Sequence, residues 1–334
     1  MPVIKDSFYV VVMLYVLKDR IMNKGMCMSD LNIAVYAEGC MYPDDCEGLQ
    51  PVDETIAQLQ VSGFTTLILG LFHIGRNYSI DPPQQMGDLY FNNQLIFSSG
   101  RYVGDPAWLG QVKSALGGSV DQVGASIGGG GVMDFQTLEK IFHDNGSTFA
   151  GTNLERNVRA FRDALPSVSF IDMDCEDVYD SPSFVAFCRL LAELGFGLTF
   201  CPYMLQPFWV QALAALQQTH PGSVRWWNLQ CYDGGFGNDP ARWASAIKAA
   251  MPGFATDKYI LAGDWTDAGT SGVKELMAAQ RQKACVGGGF IWTLDRIIET
   301  AIADGVPPQV AMTGYVNAIE TGLHGKSAQP MRVR

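Results

Sequence analysis

The stretch Ser169-Phe170-Ile171-Asp172-Met173-Asp174-Cys175-Glu176 sets three carboxyl groups at i, i+2 and i+4 within an apolar run. That spacing is the period of a β-strand, so Asp172, Asp174 and Glu176 point to one face. The strand it predicts, Ser167–Asp174, is the fourth of eight similar apolar runs. The others are Leu31–Ala37, Thr65–Phe72, Gln122–Ile127, Gly197–Cys201, Val224–Cys231, Tyr259–Gly263 and Gly288–Leu294. Between them lie amphipathic stretches that predict helices: Asp53–Val61, Ala107–Leu116, Asp134–Phe142 running on to Asn153–Leu165, Ser181–Leu194, Pro207–Gln218, Pro240–Ala250, Gly272–Lys283 and Asp295–Ala303. Alternation of short apolar strands with helices is the pattern of βα units around a parallel sheet.

Eight such units in about 300 residues predict an α/β fold, a single closed (β/α)8 TIM barrel. Residues 1–30 form an N-terminal extension, residues 31–322 the barrel and residues 323–334 a flexible tail. After strand two, Asp88–Gly100 reads as two short strands around Asn92-Asn93, a small hairpin at the barrel mouth. After strand seven, Asp264 to Gly272 leaves room only for a short loop and no inserted α+β domain.

Composition narrows the rest. The chain has 334 residues, 48% of them hydrophobic and only 17% charged, enough apolar material for a large core and too little charge for disorder. A net charge of −11 argues against nucleic acid and anionic lipid as partners and favours a neutral or cationic ligand. Eight cysteines without a CxxC pair, and only four histidines, supply no zinc framework. Cys40 and Cys46 stand in a predicted surface loop, where a local disulfide is left open. The apolar run Phe8 to Leu17 is too short to span a bilayer and lacks a small-x-small cleavage site, so it reads as an extension or an upstream start, with Met28 an alternative beginning.

In a barrel the acidic face of strand four is the interior, with Glu176 outermost at the mouth. Like charges a few ångströms apart cannot all ionise cheaply, so at least one pKa must rise, and a carboxylic acid kept protonated near neutral pH is what a general acid needs. Asp-x-Asp-x-Glu could instead supply oxygen ligands to Mg²⁺ or Ca²⁺, but no clear ligand set recurs at the other strand ends. No metal or cofactor is expected.

At this point the sequence resembles glycoside hydrolase family 18, the chitinases and endo-β-N-acetylglucosaminidases. Its strand-four signature Asp-Gly-x-Asp-x-Asp-x-Glu is present in its second half as Asp172-x-Asp174-x-Glu176, while Ser169 and Phe170 replace the leading Asp and Gly. That replacement is expected to alter the deepest hydrogen bond of the acid chain. Ser126-Ile127-Gly128-Gly129 is similar to the family's strand-three Ser-x-Gly-Gly, and Gln230-Cys231-Tyr232-Asp233 to its strand-six segment. Gly289 to Asp295 resembles the strand-eight segment with its Trp, here Trp292, and Tyr36 and Phe72 sit where the family has aromatics.

The resemblance implies a retaining, substrate-assisted hydrolase of β-1,4-linked N-acetylglucosamine chains. Glu176 would act as acid and then base, Asp174 would hold the substrate's acetamide N–H, Asp172 would share a proton with Asp174, and Tyr232 would align the acetamide oxygen. Trp292 would floor the sugar at the cleavage point, with Tyr203, Trp265, Gln230, Asp233, Tyr36 and Phe72 as further substrate contacts. Gly128–Gly131 lacks the Lys-Ser/Thr of a P-loop and reads as close backbone approach to substrate. His73 reads as structural. The partner implied is an N-acetylglucosamine-containing saccharide bound by a monomer, and substrate logic points outside the cell although no clean signal is visible. Chitin and the chitobiose core of N-glycans remain alternatives, as does a non-catalytic sugar-binding lectin on the same barrel.

Overall fold

The structure, a computed structural model, describes residues 31–43, 48–75, 85–232, 238–253, 260–283 and 286–325. The N-terminal extension, the segment holding Cys46, Asp233 and the last nine residues lie outside the described residues. Strands run in chain order as β1 (Asn32–Ala37), β2 (Thr66–Ile74), a three-strand excursion β3 (Leu89–Phe91), β4 (Gln94–Ser98) and β5 (Arg101–Tyr102), then β6 (Gln122–Gly128), β7 (Val168–Asp174), β8 (Gly197–Phe200), β9 (Val224–Gln230), β10 (Ile260–Trp265) and β11 (Gly288–Trp292). Eight of them, β1, β2 and β6 to β11, pair in parallel, and the ring closes because β1 pairs with both β2 and β11. The fold is the predicted (β/α)8 barrel.

The side chains that fill the barrel follow from strand alternation. Ala34, Tyr36, Ile68, Phe170, Cys201, Trp226, Leu261 and Phe290 form one buried cluster in the lumen. The Phe170 and Trp226 rings meet at 4.7 Å, and Tyr36 meets Phe290 edge-on at 5.2 Å. Such bulk fits only because glycines face it. A Cβ on Gly124, register partner of Phe170, would lie 2.2 Å from the Phe170 ring, and one on Gly263 would lie 2.0 Å from Phe290. The Phe170 that departs from the family signature is thus the packed floor of the barrel.

Outside the ring lie α1 (Val52–Leu59), α2 (Pro106–Ser114), α3 (Asp134–Asp144), α4 (Asn153–Ala164), α5 (Ser181–Glu193), α6 (Gln206–Thr219), α7 (Pro240–Ala250), α8 (Gly269–Lys283), α9 (Leu294–Ala303) and α10 (Pro308–His324). In α4, Leu154, Asn157, Val158 and Phe161 are buried at i, i+3, i+4 and i+7, the stripe of a helix laid on a sheet. Side-chain caps fix where helices start: Asp180 accepts from the N–H of Ser183, Asp239 from Ala241 and Thr293 from Arg296.

The two helical stretches predicted between Asp134 and Leu165 are found as separate helices, parted between Asp144 and Asn153, where Gly146 and Gly151 adopt positive φ and Thr152 caps α4 through Glu155 N–H. The long helix α10 was not foreseen, although Pro308 at its first turn and buried Met312, Val316, Ile319 and Leu323 follow helix rules. Gly322 lets α10 approach α8, since a Cβ there would lie 2.4 Å from the Met277 side chain. Helix α10 therefore closes the outer layer between α8, α9 and α1.

The hairpin is found, with Asn92 at φ 50 in its turn. It extends the barrel sheet, because β3 pairs antiparallel with the end of β2 (Phe72↔Phe91) and Asn92 both donates to Leu71 O and accepts from Leu71 N–H. Between β10 and α8 there is only the 3-10 turn Thr266–Ala268. Cys40, expected on a surface loop, is buried as a free thiol against Asp295. No helix among the described residues is long and apolar enough to cross a membrane.

The lumen packing makes a test. Phe170→Ala should lower stability by about 3–5 kcal/mol, and Gly124→Val should be strongly destabilising in the native chain yet milder in the Phe170→Ala background. Urea denaturation of the two single variants and the double variant reads this coupling; strictly additive losses would mean that the two residues do not share the space.

Candidate active site

Strand β7 carries the acids, and its neighbours were built to receive them. Asp172 is fully buried and accepts four hydrogen bonds, two on each oxygen. Tyr36 Oη (2.9 Å) and Ser126 Oγ (2.8 Å) donate to Oδ2, while Thr199 Oγ1 (2.5 Å) and Asn228 Nδ2 (2.9 Å) donate to Oδ1. The donors come from β1, β6, β8 and β9, so one carboxyl group ties together half of the ring. Burial raises the pKa of Asp172, and the hydrogen bonds of Thr199, Ser126, Tyr36 and Asn228 act against that rise. Four donors fill all the lone-pair positions of an ionised carboxylate. The Tyr36 hydroxyl, itself pushed well above the usual tyrosine range by burial and then by Asp172, stays a donor.

Ser169 is not in this chain. Its side chain faces outward, donating to Val123 O at 3.4 Å with Arg225 Nη1 at 3.4 Å, because it alternates with the inward Phe170. The expectation that Ser169 alters the deepest hydrogen bond is therefore corrected: Ser126, Thr199 and Asn228 supply that layer. Sequence reading passed over their roles, and the usable signal was their inward parity on β6, β8 and β9.

One residue-pair further out, Gln230 Nε2 bridges Asp174 Oδ1 (3.0 Å) and Glu176 Oε1 (2.7 Å) and lies 3.5 Å from Cys201 Sγ. Gln230 was expected to touch substrate; it is buried and spends its amide on the two acids. Asp174 is pushed well above the ordinary carboxyl range, first by burial, then by the charges of Glu176 and Asp172, and it shares a hydrogen bond with Glu176. Asp174 therefore retains its proton beyond the pH at which an isolated carboxyl has lost it. Glu176 is half-buried, facing the mouth. The glycine run beside it permits this approach: Gly128 holds φ +120 where a Cβ would meet Asp174 O at 2.1 Å, and Gly130 brings its backbone next to Glu176 Oε2.

Aromatic rings surround the acids. Tyr232 is half-buried and stacks on Trp265 at 5.7 Å with planes 14° apart, and Trp265 is the register partner of Trp292. Trp292 is partly buried, tilted against Tyr36 at 5.4 Å. Tyr203 lies after β8, half-buried beside Met204, Asn238 and Trp243, in a cleft of about 170 Å³. Two expected sugar contacts are corrected. Tyr36 is buried and occupied with Asp172. Phe72 is buried between sheet and helices, against Phe91, Trp108 and Phe161, on the side away from the lumen.

A second polar group at the mouth escaped the sequence reading. Asp295 accepts the N–H groups of Glu38 and Cys40, both at 2.7 Å, and His73 Nδ1 lies 2.7 Å from buried Asp134 Oδ2. Glu38, His73, Asn92, Asn93 and Asp295 line a cavity of about 440 Å³. Burial and the Asp295 charge push Glu38 up to about 7.

Among solved structures, active domain 2 of the thermostable chitinase from Pyrococcus furiosus, seen as catalytic-site mutants with chito-oligosaccharides, matches 89% of this chain and 95% of that one at TM-score 0.52 and 12% identity. At that identity the likeness establishes the barrel fold and leaves the reaction to the site residues. Tryptophan synthase subunit α from Legionella pneumophila matches 93% of this chain and 97% of that one at TM-score 0.48 and 12% identity. No family model matches the chain, and comparison with curated proteins returns no match.

The raised pKa of Asp174 has a consequence for stability whose sign is fixed. A carboxyl that holds its proton more tightly folded than unfolded stabilises the fold at low pH, and this contribution falls as pH climbs from the ordinary carboxylate range toward the raised value. Asp174→Asn, which keeps the neutral shape, should flatten that fall. Thermal midpoints of both chains from pH 4 to pH 9 read it, and parallel curves would show that Asp174 binds its proton equally tightly folded and unfolded.

Proposed function

We propose that the chain is a retaining, substrate-assisted glycoside hydrolase that cleaves β-1,4 linkages in N-acetylglucosamine chains, endo-acting and chitinase-like. The observation that carries this reading is the inward ladder Asp172, Asp174 and Glu176, with Asp174 held above the ordinary carboxyl range and hydrogen-bonded to Glu176, beneath Tyr232, Trp265 and Trp292. The proton that Asp174 holds passes along their hydrogen bond to Glu176, which donates it to the glycosidic oxygen as the bond to the anomeric carbon breaks, leaving Asp174 a carboxylate. The carbonyl oxygen of the substrate's own 2-acetamido group attacks that carbon from the opposite face, giving an oxazolinium ion. Asp174 holds the acetamide N–H and balances the positive charge, and the Tyr232 hydroxyl aligns the acetamide oxygen. Glu176, now a carboxylate, takes a proton from water, which opens the ring with net retention.

Asp172 favours this reading over metal-assisted hydrolysis. Its two oxygens already accept four donors, so it has no lone pair directed at a cation. The short turn between β10 and α8 leaves the cleft unwalled on that side, which suits endo action on soluble chains. The chitobiose core of N-glycans carries the same acetamide group and is the alternative substrate. Sugar binding without turnover is the alternative role.

Release of fluorophore from a chito-oligosaccharide glycoside, by native chain and by Glu176→Gln with and without EDTA, tests the proposal. Turnover should survive EDTA and fall by roughly 10²–10⁴-fold in the variant, the range that general acid–base catalysis contributes. Cleavage of a high-mannose N-glycan with no activity on chito-oligosaccharides would redirect the substrate. Binding without turnover in both proteins would make the barrel a lectin.

A further inference from the structure

On the outer face of the barrel, three side chains of different chemistry converge away from the ladder. Glu139 and His143 stand at i and i+4 on α3, one above the other on a single helical face. Asp180 reaches them from the start of α5. One ligand atom from each of the three lies within 4.8 Å of the other two. None of the three takes part in the glycosidase reading.

The elements that carry them are fixed. Asp180 caps α5, accepting the N–H of Ser183 at 3.0 Å through Oδ2 while its own carbonyl accepts from Ser183 Oγ at 3.2 Å. The same Oδ2 that accepts from Ser183 also faces His143 Nε2, so the cap holds the carboxylate toward α3. The contact between His143 Nε2 and Asp180 Oδ2 is 3.3 Å. That is long for a charge-assisted hydrogen bond, usually about 2.7–2.9 Å. It equals the ligand-to-ligand edge of about 3.3 Å in a tetrahedron whose metal–ligand bonds are about 2.0–2.1 Å.

We propose that Glu139, His143 and Asp180 form a binding site for a borderline divalent transition cation, Zn²⁺ in the first instance. Imidazole nitrogen with two carboxylate oxygens makes three protein ligands, and water completes the tetrahedron. Imidazole selects Zn²⁺ over Mg²⁺ and Ca²⁺, which prefer all-oxygen shells. The ion would join α3 to the turn between Glu176 and Asp180, the segment that carries the outermost acid of the ladder. It is a structural tether on the outside of the barrel and takes no part in bond cleavage.

The test is titration calorimetry of the full metal-free chain with ZnCl₂ at pH 7.5, paired with thermal unfolding and with the visible spectrum of the Co²⁺-loaded chain. One saturable equivalent is expected, with a thermal midpoint that climbs with Zn²⁺ concentration and a tetrahedral Co²⁺ band. His143→Ala, at an exposed position, should keep the circular dichroism of the native chain and weaken Zn²⁺ by more than about tenfold, the loss already typical of deleting an outer-shell partner. Glu139→Gln should weaken it as well. Absence of a saturable equivalent overturns the proposal. So does Zn²⁺ binding that is unchanged in His143→Ala, which would place the ion elsewhere, or equal competition by Mg²⁺, which would reduce the cluster to a general acidic patch.

Discussion

The buried carboxylate of Asp172 is the group on which the inner architecture depends. An isolated carboxylate in an apolar interior is very costly, and leaving a buried charge uncompensated by losing a partner typically costs about 3–5 kcal/mol. Here the compensation is drawn from four strands, through Tyr36, Ser126, Thr199 and Asn228. Each of those side chains is buried. The level of the lumen at which the aromatic floor of Phe170, Trp226 and Phe290 gives way to polar groups is set by this one residue.

From that anchor the electrostatics propagate outward. Asp172 is a charge beneath Asp174, and Glu176 a charge above it, so the middle acid is the one that burial and neighbours together drive to hold a proton. Gln230 cannot accept that proton through its amide nitrogen and instead donates to both acids, keeping Asp174 and Glu176 aligned along one edge. Cys201 offers a soft, apolar wall at the same level, where a water-filled gap would dilute the coupling. The result is an acid ladder whose deep end is pinned and whose outer end opens at the barrel mouth beside Tyr232 and Trp292.

The barrel was legible because strand and helix periods alternate eight times, and each predicted strand matches an observed one to within two residues at either end. Helix α10 was legible in principle, from Pro308 and the apolar spacing through Leu323, but it adds a second helix to the last βα unit, where the repeat supplies one. The acid ladder could be read because its partners are on one strand. The donors to Asp172 could not, since they are single residues on four other strands and only register brings them to one level. Phe72 misled for the opposite reason: β2 has a bulge between Leu69 and Phe72, which shifts the parity and turns Phe72 toward the helices. Asp295 and Glu38 were hidden by a separation of 257 residues.

The central claim is that the middle acid, Asp174, holds its proton well above the ordinary carboxyl range because it is buried between Glu176 and Asp172. Carboxyl ¹³C NMR of the chain labelled at Asp and Glu, titrated from pH 3 to pH 9, measures it directly. The account predicts that Asp174 loses its proton well above the ordinary carboxyl range, and that Glu176→Gln, which removes a neighbouring charge, moves that transition down. Titration of Asp174 near pH 4, unmoved by Glu176→Gln, would contradict it.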